Sequence, residues 1–381
     1  MTPSQTTTAQ LIGVKRVTLH RLRVPLIEPF RISNGTIAEK DTILVEVKSD
    51  EDVVGWGEAS PMSGSFYSAD TPDSAWAALS KRLIPQLLRD GAVDVENFYQ
   101  RLRAQPGDAF AKAGLEGALW DAYAHSLGEP LCELLGGQAR PVSSGVAIGI
   151  YDQLAELLER IERYTAEGYQ RVKIKIEPGW DIEPVAAVRA RFPNLPLMVD
   201  ANAAYTIADA AVFRELDAQR LMMIEQPLAR EAHAEAAELQ RQLRTPLCAD
   251  ESAESSEALE SLIARNAARI INIKVQRVGG LSEARLMLKR ARAAGLECWV
   301  GTMPELGVAS TQGLHFATLD GFSYPTDIEA SARWYVDDVI NPLIEIDARG
   351  YIQPVAGPGT GYCVAREKVE QYSVAAEEFV A

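Results

Sequence analysis

Five short apolar runs, each ending at or beside an ionisable residue, constrain this chain more than any other feature. They are Arg-Val-Lys-Ile-Lys-Ile (Arg171 to Ile176), Leu-Pro-Leu-Met-Val-Asp (Leu195 to Asp200), Met-Met-Ile-Glu (Met222 to Glu225), Leu-Cys-Ala-Asp (Leu247 to Asp250) and Ile-Ile-Asn-Ile-Lys (Ile270 to Lys274). Lys175, Asp200, Glu225 and Asp250 are 25 positions apart, and Lys274 follows 24 later. One strand, one helix and two short loops fill such a step, so the stretch predicts repeated βα units. Successive parallel strands open their C-terminal ends onto one face. In a closed (β/α)8 barrel that is the face where active sites lie.

A barrel of about 250 residues leaves part of a 381-residue chain for a second unit. Residues Val17–Val24 and Thr42–Lys48 alternate as strands do. Between them Glu28–Thr36 reads as a loop. A third strand-like segment, Val53–Glu58, leads into a loop carrying Met62, Phe66 and Tyr67. Long loops in compact domains are often functional, so both loops are open to two readings, surface turns or a lid. From Ser74 to Leu135 the apolar spacing becomes helical. Strands followed by helices make an α+β unit over 1–135, and Gly136–Pro141 marks its end. The barrel then occupies 136–342, and 343–381 returns to complete the first unit. The glycine run Gly357–Gly361 lacks the strand–helix setting of a dinucleotide site and reads as a turn.

A net charge of −15 argues against nucleic acid or an anionic membrane as partner. No apolar run approaches the roughly 20 residues of a membrane span. Four scattered cysteines lack metal-finger spacing, and the first eleven residues lack a basic-then-apolar leader pattern. These features lead us to expect a cytoplasmic protein with reduced thiols, acting on a small molecule.

Three carboxylates converging on one face repel unless a cation sits among them. A hard divalent ion with oxygen ligands, Mg²⁺ above all, is the natural answer for Asp200, Glu225 and Asp250. The competing structural reading has each carboxylate cap a helix or pair with a lysine. Lys173 and Lys175 alternate with apolar neighbours, so both point to one face of their strand. Charges inside a barrel are costly unless paired or functional. Lys274, on the sixth strand, lies across the barrel from the second. A carboxylate substrate between the lysines would lose its α-proton to give an enediolate, with the cation stabilising the charge. Burial, a nearby metal and neighbouring ammonium groups are expected to depress the lysine pKa values, with Arg277 adding to this if it faces the site. Asn202 is open to two readings, a partner of a metal-bound water or a turn residue. Glu251 is expected to pair with a lysine. His20, His125, His233 and His315 end no barrel strand, so a histidine base is not expected. No nucleophile-elbow or Cys–His pattern occurs.

At this point the chain resembles the muconate-lactonizing-enzyme subgroup of the enolase superfamily. The resemblance is carried by Lys173-Ile-Lys175, Asp200-Ala-Asn202, Ile224-Glu-Gln-Pro227, Asp250-Glu-Ser252 and Asn272-Ile-Lys-Val-Gln-Arg-Val-Gly-Gly280. It implies a modified (β/α)7β TIM barrel under an α+β capping domain, so seven full units and a last strand replace the eight read above. It implies Mg²⁺, with Mn²⁺ as an alternative, at Asp200, Glu225 and Asp250. It implies acid/base lysines at Lys175 and Lys274, with Lys173 supporting the substrate carboxylate and charge balance. A homo-oligomer is expected, and Phe30, Met62, Phe66 and Tyr67 are expected in the lid.

Within the subgroup, Ile176–Asp181, Asp200–Tyr205 and Lys274–Arg277 look most like o-succinylbenzoate synthases and N-acylamino acid racemases. That group usually shows Gly-Gly-Met-x-Glu-[Ser/Thr]-Gly-Ile-Gly-Arg after the seventh strand. This chain has Gly301–Ser310, keeping Gly301, Met303, Glu305 and Gly307 but departing at Thr302, Leu306 and Ser310. Dipeptide epimerases place an Asp-x-Asp pair after the eighth strand, where this chain has Asp327-Ile-Glu329. A muconate-type cycloisomerase is a further alternative. A non-catalytic metal-binding barrel is the alternative of another class, and would not need a lysine on each side of the site.

Overall fold

The computed structural model describes residues 11–63 and 67–381, so Phe66 lies outside the described residues. Strands Ile12–Ile32, Gly35–Ser49 and Val54–Ala59 form an antiparallel meander. The last strand of the chain, Ser373–Val380, pairs with the first, so both chain ends meet in one sheet. Val17, Leu19, Leu22 and Val24 are buried, facing Ile43, Leu44, Val45 and Val47 across the ladder or the core.

The segment Glu28–Thr36 is not a free loop. Phe30 pairs with Ile37, Arg31 with Thr36 and Ile32 with Gly35, so it is the tip of a long hairpin. Its buried Phe30 and Ile32 keep the two-residue period that the charges around them hide. The ladder breaks between Pro25 and Phe30, since proline offers no N–H to it.

Helix Ala109–Leu127 lies directly on this sheet and is buried on almost every side. The approach needs glycine on both surfaces. A Cβ on Gly57 would fall 2.0 Å from Gly114 O, and one on Gly55 would fall 2.3 Å from Ala118 O. Backbone contact at that range is closed to any larger residue.

Seven parallel strands follow in strict spatial order: Val146–Ile148, Val172–Lys175, Leu197–Asp200, Ile224–Glu225, Leu247–Ala249, Ile270–Ile273 and Glu297–Val300. Each is followed by a helix, the last being Gly307–Ala317. Residues 322–328 close the ring and are followed by only a single-turn helix, Ser331–Trp334. Phe322 bridges to Cys298 and Thr326 to Ser144, both in parallel. Asp327 N donates to Val300 O at 3.1 Å, and Gly145 N donates to Thr326 O at 2.8 Å. The architecture is thus a (β/α)7β barrel. Among the described residues no helix is long and apolar enough to cross a membrane.

Arg171 holds the closing segment. Its guanidinium, 1% exposed, donates to Pro325 O and Thr326 O at 3.1 Å and to Asp327 Oδ1 at 2.7 Å. All three bonds come from Nη2, while Nη1 donates to Val146 O at 3.5 Å, so one guanidinium ties the closing segment to the first strand. Arg171→Leu is expected to lower the free energy of unfolding by about 3 kcal/mol, because a buried charge pair loses one partner. Urea unfolding followed by circular dichroism measures this, and an unshifted midpoint would contradict the closing role.

Candidate active site

The ionisable strand ends come together because the parallel strands pair in register. Lys175 pairs with Asp200, and Asp200 with Glu225. Asp250 and Lys274 follow the ends of strands five and six. All of these side chains, and Lys173, are buried. Two positions apart on one strand, Lys173 and Lys175 face inward while Ile174 packs among the outer helices.

Every ammonium is met by a carboxylate. Lys175 Nζ donates to Asp200 Oδ2 at 2.6 Å and to Asn202 Oδ1 at 2.9 Å. Lys274 Nζ donates to Asp250 Oδ2 at 2.9 Å and to the Tyr67 hydroxyl at 2.8 Å. Lys173 donates to Asp327 and lies 3.2 Å from Glu225 Oε2 and 3.7 Å from Asp200 Oδ2. Arg277 faces the site, donating to Asp250 and, at 2.8 Å, to Asn272 O.

At Lys173 and Lys274 these pairs act opposite to the expected depression. Burial disfavours the Lys173 ammonium, but Asp327, Glu225 and Asp200 outweigh it and raise its pKa above the ordinary value. Lys274 is raised for the same reason, with Asp250 as the main opponent of burial. Burial also opposes the Asp250 carboxylate, yet Arg277 and Lys274 hold it well below the usual range. A facing carboxylate at hydrogen-bond range decides the sign.

Glu225 is the exception. Burial, with Asp200 adding, pushes its carboxyl up to about 8. Asn272 Nδ2 donates to its Oε1 at 2.6 Å, while its buried Oε2 accepts no hydrogen bond among the described residues and meets only the Lys173 ammonium, at 3.2 Å. An oxygen-only donor set on three adjacent strand ends, with one buried oxygen free of hydrogen bonds, suits a hard divalent cation. Asp200, Glu225 and Asp250 are the residues that could hold it. Among the described residues, no three acidic, His or Cys side chains are already drawn together around one point, because lysines and Arg277 hold Asp200 and Asp250 instead.

The other expected residues divide. Asn202 sits in a turn, at φ 41°, and faces the site: its Nδ2 donates to Glu251 Oε1 at 3.1 Å and its Oδ1 accepts from Lys175. Glu251 pairs with no lysine; burial, then Asp250, pushes it up to about 7. Phe30, Met62, Tyr67, Met303 and Asp327 line the same pocket as Lys173, Lys175 and Lys274. Phe30 lies beside Lys175, ring centroid to Nζ 6.0 Å, and Tyr67 beside Lys274 at 5.0 Å. Glu305 stands behind that wall, accepting from Met303 N at 3.1 Å.

Asn272 was missed as a site residue. It lies two residues before Lys274 in an otherwise apolar strand, so its polarity and parity were available signals. Glu329, weighed only as the second acid of Asp327-Ile-Glu329, also lines the pocket. The pocket holds about 40 Å³. That is room for a few waters.

Comparison with known proteins extends beyond the site. Residues 15–136 match the N-terminal domain of the mandelate racemase/muconate lactonizing enzyme family, and 156–368 match the enolase C-terminal domain-like family. The chain is 42% identical over 368 residues to an o-succinylbenzoate synthase of Geobacillus kaustophilus, covering 97% of this chain and 98% of that protein. It is 38% identical over 360 residues to an N-succinylamino acid racemase of Amycolatopsis, covering 94% and 97%. An enolase superfamily member from Listeria innocua superimposes with a TM-score of 0.93 at 32% identity, covering 97% of this chain and all of that one. Similarity running through cap and barrel alike makes this chain an enzyme of the enolase superfamily, in the mandelate racemase/muconate lactonizing enzyme family.

Proposed function

We propose that this enzyme removes the proton α to a carboxylate, acting as an N-succinylamino acid racemase, an o-succinylbenzoate synthase, or both. In this reading Asp200, Glu225 and Asp250 hold Mg²⁺, the metal generally used in the superfamily. A cap drawn from both ends of the chain covers a barrel at 136–342. The observation that carries the proposal is one pocket lined by Lys175 and Lys274, from opposite sides of the ring, with the strands that bear Asp200, Glu225 and Asp250 standing between theirs in the sheet.

A bound Mg²⁺ would compensate the three carboxylates, freeing Lys175 and Lys274 from their ion pairs, and would acidify the α-proton of the substrate. Lys175 and Lys274 then flank the α-carbon. In racemisation one takes the proton and the other returns it on the opposite face. In a syn dehydration one lysine serves as base and then acid, and the other supplies charge. Lys173 keeps its ammonium through Asp327 and offers it to the substrate carboxylate. Phe30, Met62 and Tyr67 exclude water from the reacting centre.

Of the two acids lining the pocket among the described residues, only Glu329 keeps an oxygen without a hydrogen bond, its Oε2, where a free substrate ammonium would compete with Arg333. Asp327 is taken by Lys173 and Arg171. Glu329 accepts from Ala147 N at 2.7 Å and lies 3.3 Å from Arg333.

Two outcomes are expected. Mg²⁺ at a hundred times its dissociation constant should stabilise the fold by about 2.7 kcal/mol. Glu225→Gln should remain folded and lose that gain, read as the rise in Tm on adding Mg²⁺; an equal rise in the variant would remove Glu225 from the metal site. Arginine keeps the charge but is no usable base. Lys175→Arg and Lys274→Arg should therefore each slow racemisation of N-succinylamino acids by about 10²–10⁴-fold. Each should still exchange the α-proton of one enantiomer, the opposite one in the two variants. Wild-type racemisation by either variant, followed by polarimetry, would sink the two-base reading.

A further inference from the structure

One buried ammonium has no part in the chemistry above. Lys40, on strand Gly35–Ser49, is 2% exposed. Its Nζ donates to Ser60 O and Pro61 O, both at 3.1 Å. Among the described residues no carboxylate lies within 4.0 Å of it. Burial pulls its pKa down to about 8, against the fields of Glu58 and Glu305.

Its place in the sheet explains the contacts. Backbone pairing between this strand and Val54–Ala59 ends at Ile43 and Ala59. Beyond that point side chains continue the ladder. Thr42 Oγ1 donates to Ala59 O at 2.9 Å, and Lys40 then takes Ser60 O and Pro61 O. The other edge of the segment is held by Gln276, whose Oε1 accepts from Ser60 N at 3.1 Å and which lies two residues past Lys274. The two carboxylates whose fields retain Lys40 also fix the facing wall. Glu305 accepts from Met303 N, and Glu58 accepts from Leu306 N at 3.1 Å and Ala309 N at 3.0 Å. Met62 and Met303, on these two walls, both line the pocket.

Burying an ammonium costs several kcal/mol, and a neutral donor would satisfy carbonyls at less cost. We propose that Lys40 is a positioning residue: it clamps segment Ser60–Met62 to its own strand, at a fixed separation from the Met303 turn that Glu305 and Glu58 hold. That separation selects the size of the group the substrate places between Met62 and Met303. The selectivity part rests on the substrate pocket proposed above; the clamp does not.

The test is Lys40→Met, which keeps the length and apolar stem but removes the donors, with Lys40→Arg as the conservative variant. Hydrogen exchange of peptides covering Ala59–Ser63 is measured without substrate. Exchange is expected to rise about tenfold or more in Lys40→Met and to return toward wild type in Lys40→Arg. On N-succinylamino acids of graded side-chain size, KM should rise more than kcat falls, and the preference among sizes should flatten. If Lys40→Met fails to fold, Lys40→Met/Glu305→Gln removes one charge of each sign and carries the same measurements. Unchanged exchange at this segment would overturn the clamp, and unchanged size preference with raised exchange would overturn the selectivity. Absence of turnover by the wild type would fail the proposed function while leaving the exchange result to decide the clamp.

Discussion

The mutual neutralisation of ammonium and carboxylate groups at the barrel mouth is the interaction on which the rest depends. Parallel pairing in register sets Lys175, Asp200 and Glu225 side by side, and strand six brings Lys274 to Asp250. None of these charges could be buried alone, since removing one ion from water costs several kcal/mol. Together they offset one another, and the low dielectric that makes isolation costly makes each pairing strong. The imbalance falls on Glu225, whose buried Oε2 accepts no hydrogen bond among the described residues and whose carboxyl is pushed up to about 8. The site is therefore stable as folded yet strained toward accepting one more cation.

The cap is tied to the same charges. Tyr67 donates to Asp250 at 3.1 Å and accepts from Lys274. Glu58, from the cap sheet, accepts from the N-terminal amides of the barrel's last helix, Gly307–Ala317, where a carboxylate meets the positive end of the helix dipole. Below the mouth, Trp299 lies under Lys173, ring centroid to Nζ 5.0 Å, and packs with Met198, Met223, Cys248 and Ile270. The charged layer thus has an apolar floor and an aromatic lid, which is what keeps water from screening it.

Much of this was legible in the chain. The 25-residue step of Lys175, Asp200, Glu225 and Asp250 is a direct print of the βα unit, and strand parity put Lys173 and Lys175 on one face. What was not legible were interactions between distant segments. The Glu28–Thr36 stretch read as a loop because its pairing partners are set by the hairpin, while its apolar residues are few and spread among charges. That Asp327 touches Lys173 and Asp250 touches Lys274 was not legible either, since sequence shows that an ammonium is buried but not what meets it. Lys40 gave no signal, since a single lysine in a strand is ordinarily a solvated edge residue. Glu329 was weighed only as a replaced aspartate, and its contacts to Ala147 N and Arg333 come from packing alone.

The central claim is that a cation on the three carboxylates and a lysine freed from them act together on one C–H bond. The most direct measurement follows the α-proton of a single N-succinylamino acid enantiomer by NMR, with wild-type enzyme in D₂O. The sample is run with Mg²⁺ and again after chelation. The account predicts replacement of the α-proton by deuterium with Mg²⁺ and none after chelation, reversed by restoring the metal. Exchange at the same rate in excess chelator would contradict it.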